Sequence, residues 1–431
     1  MNRIISTAAP EIFNLAVMAL IMVRWFAELW LSRLNRRHVL ARANEIPPAF
    51  RGIIDEPTYK KSVEYTLAKN KFSEAEDGYH LAVLIIFLFS GVLPWAFHLF
   101  SNGLGQSAWA MGAFLFTAGF ALSLPGLPFD WHAQFRLEEK FGFNTTTPKI
   151  WWLDRVKGLL LAVVLGYPLL VLILKIVEWT GGWWWLWAWA ALLAFQFLML
   201  VLAPVLILPL FNKFTPLPEG SLRARLLALA ERTRFRTQSI QLMDGSKRSQ
   251  HSNAFFTGFG RFRKIVLFDT LVQQLAEPEL EAVLAHEIGH HQKKHIPKML
   301  AFSAVSSLAG FYLISVLARQ EWFYRAFDFQ PSALSLQPSA ITPALLLFGL
   351  LAGTVTFWFS PLIHWWSRRY EYQADAFAAR VMNQTQSLIG ALRKLNEKNL
   401  SNLTPHPLYS GFYYSHPTLL EREQALKGKV D

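Results

Sequence analysis

Long apolar runs recur along this chain, with polar segments between them. The runs are close to the length of about 20 residues that an α-helix needs to cross a bilayer. They lie at about 12–31, 80–100, 108–124, 159–177, 183–210, 299–317 and 341–363. The pattern therefore predicts a mainly α, polytopic membrane protein with about seven transmembrane helices.

The polar segments predict the topology. Residues 33–79 and 125–157 are rich in Arg and Lys, which places these loops on the cytoplasmic side and the N-terminus outside. With seven spans, residues 212–298 and the C-terminal segment also lie on the cytoplasmic side. The connection at 321–339 is then expected outside.

Residues 212–298 differ in pattern from the apolar runs. An amphipathic helix is predicted at 222–232, and short apolar or aromatic segments at 239–243, 253–257 and 264–268 predict a small sheet. The predicted domains are an N-terminal transmembrane region at 1–211, a cytoplasmic insertion at 212–298, the last two transmembrane helices at 299–366, and a C-terminal cytoplasmic part at 367–431.

Composition agrees with a membrane protein. Of the 431 residues, 53% are hydrophobic and 17% are charged. The net charge of +12 is better explained by basic loops beside anionic lipid than by nucleic-acid binding. The chain has no Cys, which excludes disulfides and thiolate metal ligands. Together with the short loops, this favours a bacterial inner membrane.

The cytoplasmic insertion contains an H-E-x-x-H motif, His286-Glu287-Ile-Gly-His290. On an α-helix, His286 and His290 project from one face, one turn apart, and can bind one Zn²⁺. Glu287 can then act as general base toward a zinc-bound water. Pro278 and the acidic residues around it are typical of a helix N-terminus.

A catalytic zinc needs a third protein ligand. We expect it on a helix that follows the last span, where Glu371 and Asp375 share one face. Glu371 could bind the metal, and Asp375 could accept the second N–H of a ligating imidazole. Small residues, Gly289 and Ala374 among them, would let the two helices approach closely. The alternative is a solvated acidic pair.

Other polar residues allow more than one interpretation. Arg24 and Glu28 could be an intramembrane pair that faces a cavity, or Arg24 could extend to the interface. His295, like His291, is expected to be a solvated or packing residue. Arg368 or Arg369 could attract a substrate carboxylate or could simply determine topology.

Several segments together resemble the type I CAAX prenyl endopeptidases, which are integral-membrane zinc proteases of the gluzincin kind. These segments are Glu138–Asn144, Asp244–Phe256, His286–His290, Ser367–Asp375 and Ser415–Arg422. The resemblance implies a ring of seven helices around a chamber capped by a cytoplasmic α+β zinc domain. It also implies cleavage after a prenylated cysteine, near the C-terminus of a peptide or protein substrate.

The resemblance further implies residue roles. One zinc per chain would be bound by His286, His290 and Glu371, with Glu287 as base. Asn253 and Ala254 would hold the peptide as an added strand, and His416 would donate to the developing oxyanion.

Two other functions are considered beside the prenyl protease. One is a membrane quality-control protease without prenyl specificity. The other is a transporter or lipid-binding protein with a structural zinc, which Glu287 argues against, because a structural zinc needs no adjacent base.

Overall fold

The computed structural model of the chain describes residues 2–237, 239–257, 264–330 and 336–428. The N-terminal half of the chain is helical, and short π-helical and 3₁₀ turns join several of its helices. Its helices are α1 (Asn2–Leu40), α2 (Glu56–Phe89), α3 (Val92–Leu104), α4 (Ala108–Ser123), α5 (Leu127–His132), α6 (Glu139–Phe141), α7 (Pro148–Leu161), α8 (Tyr167–Thr180), α9 (Trp184–Leu202) and α10 (Leu208–Phe211).

The C-terminal half contains the sheet and two further long apolar stretches. Its helices are α11 (Ser221–Arg232), α12 (Asp269–Gln274), α13 (Glu277–Gln292), α14 (His295–Leu317), α15 (Glu321–Arg325), α16 (Pro338–Thr356), α17 (Ser360–Met382), α18 (Gln386–Lys398), α19 (Pro407–Tyr413) and α20 (Leu419–Lys427). The amphipathic helix predicted at 222–232 is α11.

The predicted multi-pass architecture is confirmed. Within the described residues, five helical stretches are long and apolar enough to cross a membrane, or six if the bent pair α2 and α3 counts as one span. The predicted runs 159–177 and 183–210 fall in one helical stretch, Pro148–Phe211. Gly181, at φ 52°, makes the bend between α8 and α9, because glycine tolerates positive φ. The two helices pack against each other.

The basic segment predicted as a loop at 33–79 is largely helical. Helix α1 continues to Leu40, and α2 begins at Glu56 after Asp55, whose side chain accepts a hydrogen bond from the Thr58 amide at 2.9 Å. The membrane helices thus extend into the polar region. A charged stretch is compatible with helix where its side chains face solvent, so charge alone did not distinguish loop from helix.

A four-stranded sheet lies against α13. Its strands lie in the order β1 (Phe214–Pro216), β2 (Ser239–Met243), β4 (Lys264–Phe268) and β3 (Ala254–Thr257). Strands β2 and β4 are parallel, and the outer two pairings are antiparallel. The three predicted strands are present. Strand β1 was missed because it has three residues and ends in Pro216, which an edge strand tolerates.

The last apolar run continues directly into the helix that was predicted to follow it. Residues Pro338–Met382 form one helical stretch, in which a single 3₁₀ turn separates α16 from α17. Glu371 is therefore held by a helix that begins in the membrane region. The predicted outer connection at 321–339 contains α15, and residues 331–335 within it lie outside the described residues.

Candidate active site

Helix α13 carries the H-E-x-x-H motif. The Glu279 side chain accepts a hydrogen bond from the Ala276 amide at 2.7 Å and so caps the first turn. Leu284 and Ile288 are buried in the core that lies against the sheet. His286 is 7% exposed. Its Nε2 lies 3.1 Å from the Nε2 of His290, so the two imidazoles face a common point.

Helix α17 brings Glu371 to the same point. Its carboxylate oxygens lie 3.5 Å from the Nε2 of His286 and 3.2 Å from the Nε2 of His290. Glu371 is buried, and its Oε2 has no hydrogen-bond partner among the described residues. Two imidazoles and a carboxylate thus meet, although Glu371 lies 81 positions beyond His290 in the sequence.

The three side chains fit a tetrahedral metal ion. Ligand atoms 2.0–2.1 Å from a tetrahedral zinc lie about 3.3 Å from one another. The two Nε2 atoms are 3.1 Å apart, the Glu371 Oε1 lies 3.2 Å from the Nε2 of His290, and the Glu371 Oε2 lies 3.5 Å from the Nε2 of His286, so each of these pairs is close to this value. One ligand atom from each of the three residues lies within 4.8 Å of the other two. A bound cation would also satisfy the buried Glu371 Oε2, which otherwise lacks a partner. The donor set is the N and O set that zinc accepts.

A glycine lets α13 and α17 approach closely. A Cβ atom at Gly289 would lie 3.0 Å from the Ala374 Cα and 3.1 Å from the Ala374 carbonyl oxygen. Real Cβ atoms rarely come so near another atom, so a larger residue would push the helices apart. The close approach predicted from the small residues is present.

Asp375 lies one turn beyond Glu371, beside the other ring nitrogen of His286. Its Oδ1 is 2.8 Å from the His286 Nδ1. Burial lowers the pKa of His286, but the hydrogen bonds to Asp375 and Glu371 outweigh burial and raise the pKa to about 9. The two carboxylates therefore favour positive charge at this imidazole.

Arg422, on α20, binds the same aspartate and was not singled out from the sequence. Its Nε and Nη2 donate to the two Asp375 oxygens at 2.9 and 2.5 Å. Its Nη1 lies 3.7 Å from the Glu371 Oε2. Arg422 is 9% exposed, and a guanidinium is suited to a buried carboxylate because it donates in a fork. The sequence signal that could have indicated such a residue is the acidic pair Glu371 and Asp375, because two carboxylates that are buried need a cation nearby.

Glu287 lies in the cleft that contains this cluster, together with His286, Glu371 and His416. Burial raises the pKa of Glu287, which the neighbouring imidazoles oppose. A buried carboxylate with a raised pKa is better matched to taking a proton near neutral pH than an exposed one.

His416 reaches the cluster from the loop before α20. Its Nε2 lies 3.5 Å from the Glu371 Oε1, and its Nδ1 is 3.0 Å from the Ser415 hydroxyl. Arg368 supports the preceding segment, because its Nη1 donates to the carbonyls of Ser410 and Tyr414 at 3.0 and 2.9 Å. One nitrogen of the Arg368 guanidinium is thus bound to the protein backbone.

Asn253 and Ala254 line the cleft at the start of β3, which is an edge strand of the sheet. The Asn253 carbonyl accepts a hydrogen bond from the Phe268 amide at 3.1 Å, which fixes the strand on β4. The opposite edge of β3 has no partner strand among the described residues. An extended peptide could pair there.

Two further predictions concern residues near the site. His295 is a packing residue as expected, 1% exposed and stacked on Tyr370 at 3.9 Å, but its Nδ1 also lies 3.0 Å from the Nδ1 of His290. Arg24 and Glu28 form an ion pair at 2.9 Å that lines a small cavity, which favours the first of the two alternatives given for them.

Two family descriptions together match nearly the whole chain. Residues 35–213 match "CAAX prenyl protease N-terminal, five membrane helices", and residues 216–430 match peptidase family M48. The second region contains every residue of the cluster described above.

Individual relatives match over nearly their full length. The chain is 39% identical to CAAX prenyl protease 1 of Saccharomyces cerevisiae over 91% of this chain and 90% of the relative. It is 31% identical to the human CAAX prenyl protease 1 homolog over 95% and 94%. The crystal structure of S. mikatae Ste24p superposes with a TM-score of 0.88 at 37% identity, covering 96% of this chain and 98% of that one. The chain therefore belongs to the CAAX prenyl protease 1 family of integral-membrane zinc metalloproteases.

Proposed function

We propose that this protein is a zinc endopeptidase that cleaves prenylated substrates near their C-terminus, after the modified cysteine of a CAAX sequence. The names of the relatives support this substrate class. The observation that carries the chemistry is the convergence of two imidazoles and one carboxylate, whose ligand atoms lie within 4.8 Å of one another, beside the buried Glu287.

His286, His290 and Glu371 would hold one zinc ion per chain. When bound, the zinc polarises the scissile carbonyl and lowers the pKa of the attacking water to about 7. Asp375 keeps the proton of His286 on Nδ1, so that the Nε2 lone pair faces the metal. Arg422 holds Asp375 in place through two hydrogen bonds.

Glu287 takes the proton of the attacking water and returns it to the leaving amine. The His416 imidazole donates a hydrogen bond to the oxygen on which negative charge develops. Asn253 and Ala254 hold the substrate backbone along the free edge of β3, so that the scissile bond lies across the cluster.

We also propose that the protease part, at 212–298 and 367–431, faces the cytoplasm. The basic polar segments support this orientation through the positive-inside rule. The relatives reported above are eukaryotic and do not support the bacterial inner membrane predicted from composition, so the proposal is limited to the orientation.

The proposed chemistry is tested by Glu287→Gln, which removes the base while keeping the shape of the side chain. We expect the purified variant to retain one zinc per chain and to lose peptide hydrolysis by about 100-fold or more. Glu277→Gln, on the same helix but outside the cleft, is the matched control. Full activity of the Glu287 variant would disprove the mechanism.

Substrate class is tested separately with a farnesylated CAAX peptide and the same peptide without the farnesyl group. The proposal predicts a higher kcat/KM for the farnesylated form. Equal values would favour a quality-control protease that recognises unfolded or membrane segments without reading the lipid.

A further inference from the structure

A second, larger cavity adjoins the cleft of the candidate active site. It has a volume of about 510 Å³ and shares His416, Arg422 and Leu392 with that cleft. Its other walls come from α1, α2 and α18 and from the segment before α20. A peptide lying across the metal cluster could therefore extend one of its ends into this space.

Hydrogen-bond donors without partners line this cavity. The Asn35 side chain is 0% exposed, and its Oδ1 accepts from the His406 amide at 3.0 Å. That bond fixes the orientation of the amide group, and Asn35 Nδ2 has no partner within the described residues. Asn70, 6% exposed, likewise leaves its Nδ2 unpaired in the part of the chain that the structure describes. Buried donors of this kind normally have a partner, which a ligand can supply.

The Lys and Arg side chains that line the cavity give it positive charge. Lys69, beside Asn70 on α2, lines it. Its ammonium group lies over the Tyr65 ring, 5.1 Å from the ring centroid, and the described residues place no carboxylate within ion-pair distance of it. Among described residues, no Asp or Glu lines the cavity, whereas Arg422 does. A space with an ammonium group outside any ion pair, unpaired amide N–H groups and no acidic lining favours an anionic ligand that only accepts hydrogen bonds.

We propose that this cavity binds the C-terminal carboxylate of the substrate, and that Lys69 and Asn70 select peptides whose chain ends there. This inference rests on the proposed function. A CAAX sequence has three residues after the cysteine, which reach about 10 Å when extended. A prenyl group could not satisfy Lys69 or the unpaired amide N–H groups of this cavity, so we assign this side to the departing tripeptide rather than to the lipid. Arg368, the residue first considered for this role, is bound to backbone carbonyls instead.

Two peptides that differ at one group test the inference. A farnesylated peptide ending in Cys-Val-Ile-Met is prepared with a free C-terminal carboxylate and as the C-terminal amide. The parent protein is expected to cleave the acid about 10-fold or more faster than the amide, measured as kcat/KM, since a hydrogen-bonded charge is worth about this much.

Variants of the cavity should abolish this preference selectively. Lys69→Met and Asn70→Leu are expected to raise KM for the acid and to leave cleavage of the amide unchanged, because they do not touch the metal cluster. Lys61→Met, an exposed lysine on the same helix outside the cavity, should keep the preference of the parent. If the parent cleaves acid and amide equally, or if Lys69→Met keeps the full preference, the inference is wrong while the proposed function stands.

A binding measurement separates this inference from the proposed function. The full-length Glu287→Gln protein is titrated with the tripeptide Val-Ile-Met as the free acid and as the amide, so that no turnover is needed. Tighter binding of the acid, weakened by Lys69→Met, supports the carboxylate site even if the CAAX peptide is not cleaved. Equal affinity for the two tripeptides would overturn it.

Discussion

The contact between α13 and α17 at Gly289 can be tested by adding one methyl group. In Gly289→Ala, the new Cβ would lie 3.0 Å from the Ala374 Cα, 3.1 Å from the Ala374 carbonyl oxygen and 3.2 Å from the Phe377 Cβ. Ordinary contacts begin at 3.4 Å, so the helices must separate by about 0.4 Å or more. One helix carries the two imidazoles and the other carries Glu371.

Stability and activity should respond differently to this change. Overpacking costs about 1–3 kcal/mol, and replacing Gly by Ala inside a helix returns about 1 kcal/mol. The net loss of stability should therefore not exceed about 2 kcal/mol. Zinc binding and hydrolysis depend on the distances between Glu371 and the two imidazoles, and a displacement approaching 1 Å can cost about 100-fold in rate. We expect a folded protein with reduced zinc content and reduced hydrolysis.

The measurements are zinc per chain, kcat/KM on a farnesylated peptide, and the melting temperature in detergent. The matched control is Gly349→Ala, inside α16, where an added Cβ meets no atom within 4 Å. It should keep full activity and zinc. Ala374→Gly should not rescue Gly289→Ala, because two of the three close atoms belong to the Ala374 backbone. Parent-like zinc content and rate in Gly289→Ala would refute the argument.

The remaining predictions concern charge and metal. Asp375→Asn should lower zinc affinity by about 10–100-fold, measured by competition with a chelator, because His286 loses the acceptor for its Nδ1 proton. Arg422→Met should destabilise the protease part by about 3–5 kcal/mol, and combining it with Asp375→Asn should recover part of the loss; an additive double variant would contradict this. Removal of zinc with a chelator should lower the melting temperature of the parent more than that of Glu371→Gln. Burial raises the pKa of Glu423, but the hydrogen bonds from Arg393 outweigh burial and lower the pKa, so the stabilisation from this ion pair should be present at neutral pH and lost as the pH falls through the lowered pKa. Glu423→Gln should remove that acid dependence from the melting curve.

Local sequence patterns were enough to predict much of this fold. The H-E-x-x-H spacing lies within two helical turns, so helix geometry alone brings His286 and His290 to one face. The three predicted strands are short apolar segments between turn-forming residues, and each was found. Where the two apolar runs at 159–177 and 183–210 were separated only by a glycine turn, hydropathy did not show that the helical conformation continues through it, so two predicted spans fall in one helical stretch that bends at Gly181.

The charge balance of the buried cluster shows why the cation beside Glu371 and Asp375 could not be predicted from the sequence. Glu371 and Asp375 are 4% and 1% exposed, and two buried carboxylates one turn apart are stable only with nearby positive charge. The sequence offers 42 Lys and Arg residues and no local rule for choosing among them. The structure supplies Arg422, which lies 47 positions beyond Asp375, for one carboxylate. For the other, Arg422 stays 3.7 Å from the Glu371 Oε2 and makes no hydrogen bond to it. Glu371 thus keeps one oxygen, Oε2, without a hydrogen bond 3.5 Å from the Nε2 of His286, while its Oε1 lies 3.2 Å from the Nε2 of His290. A divalent cation would complete this arrangement.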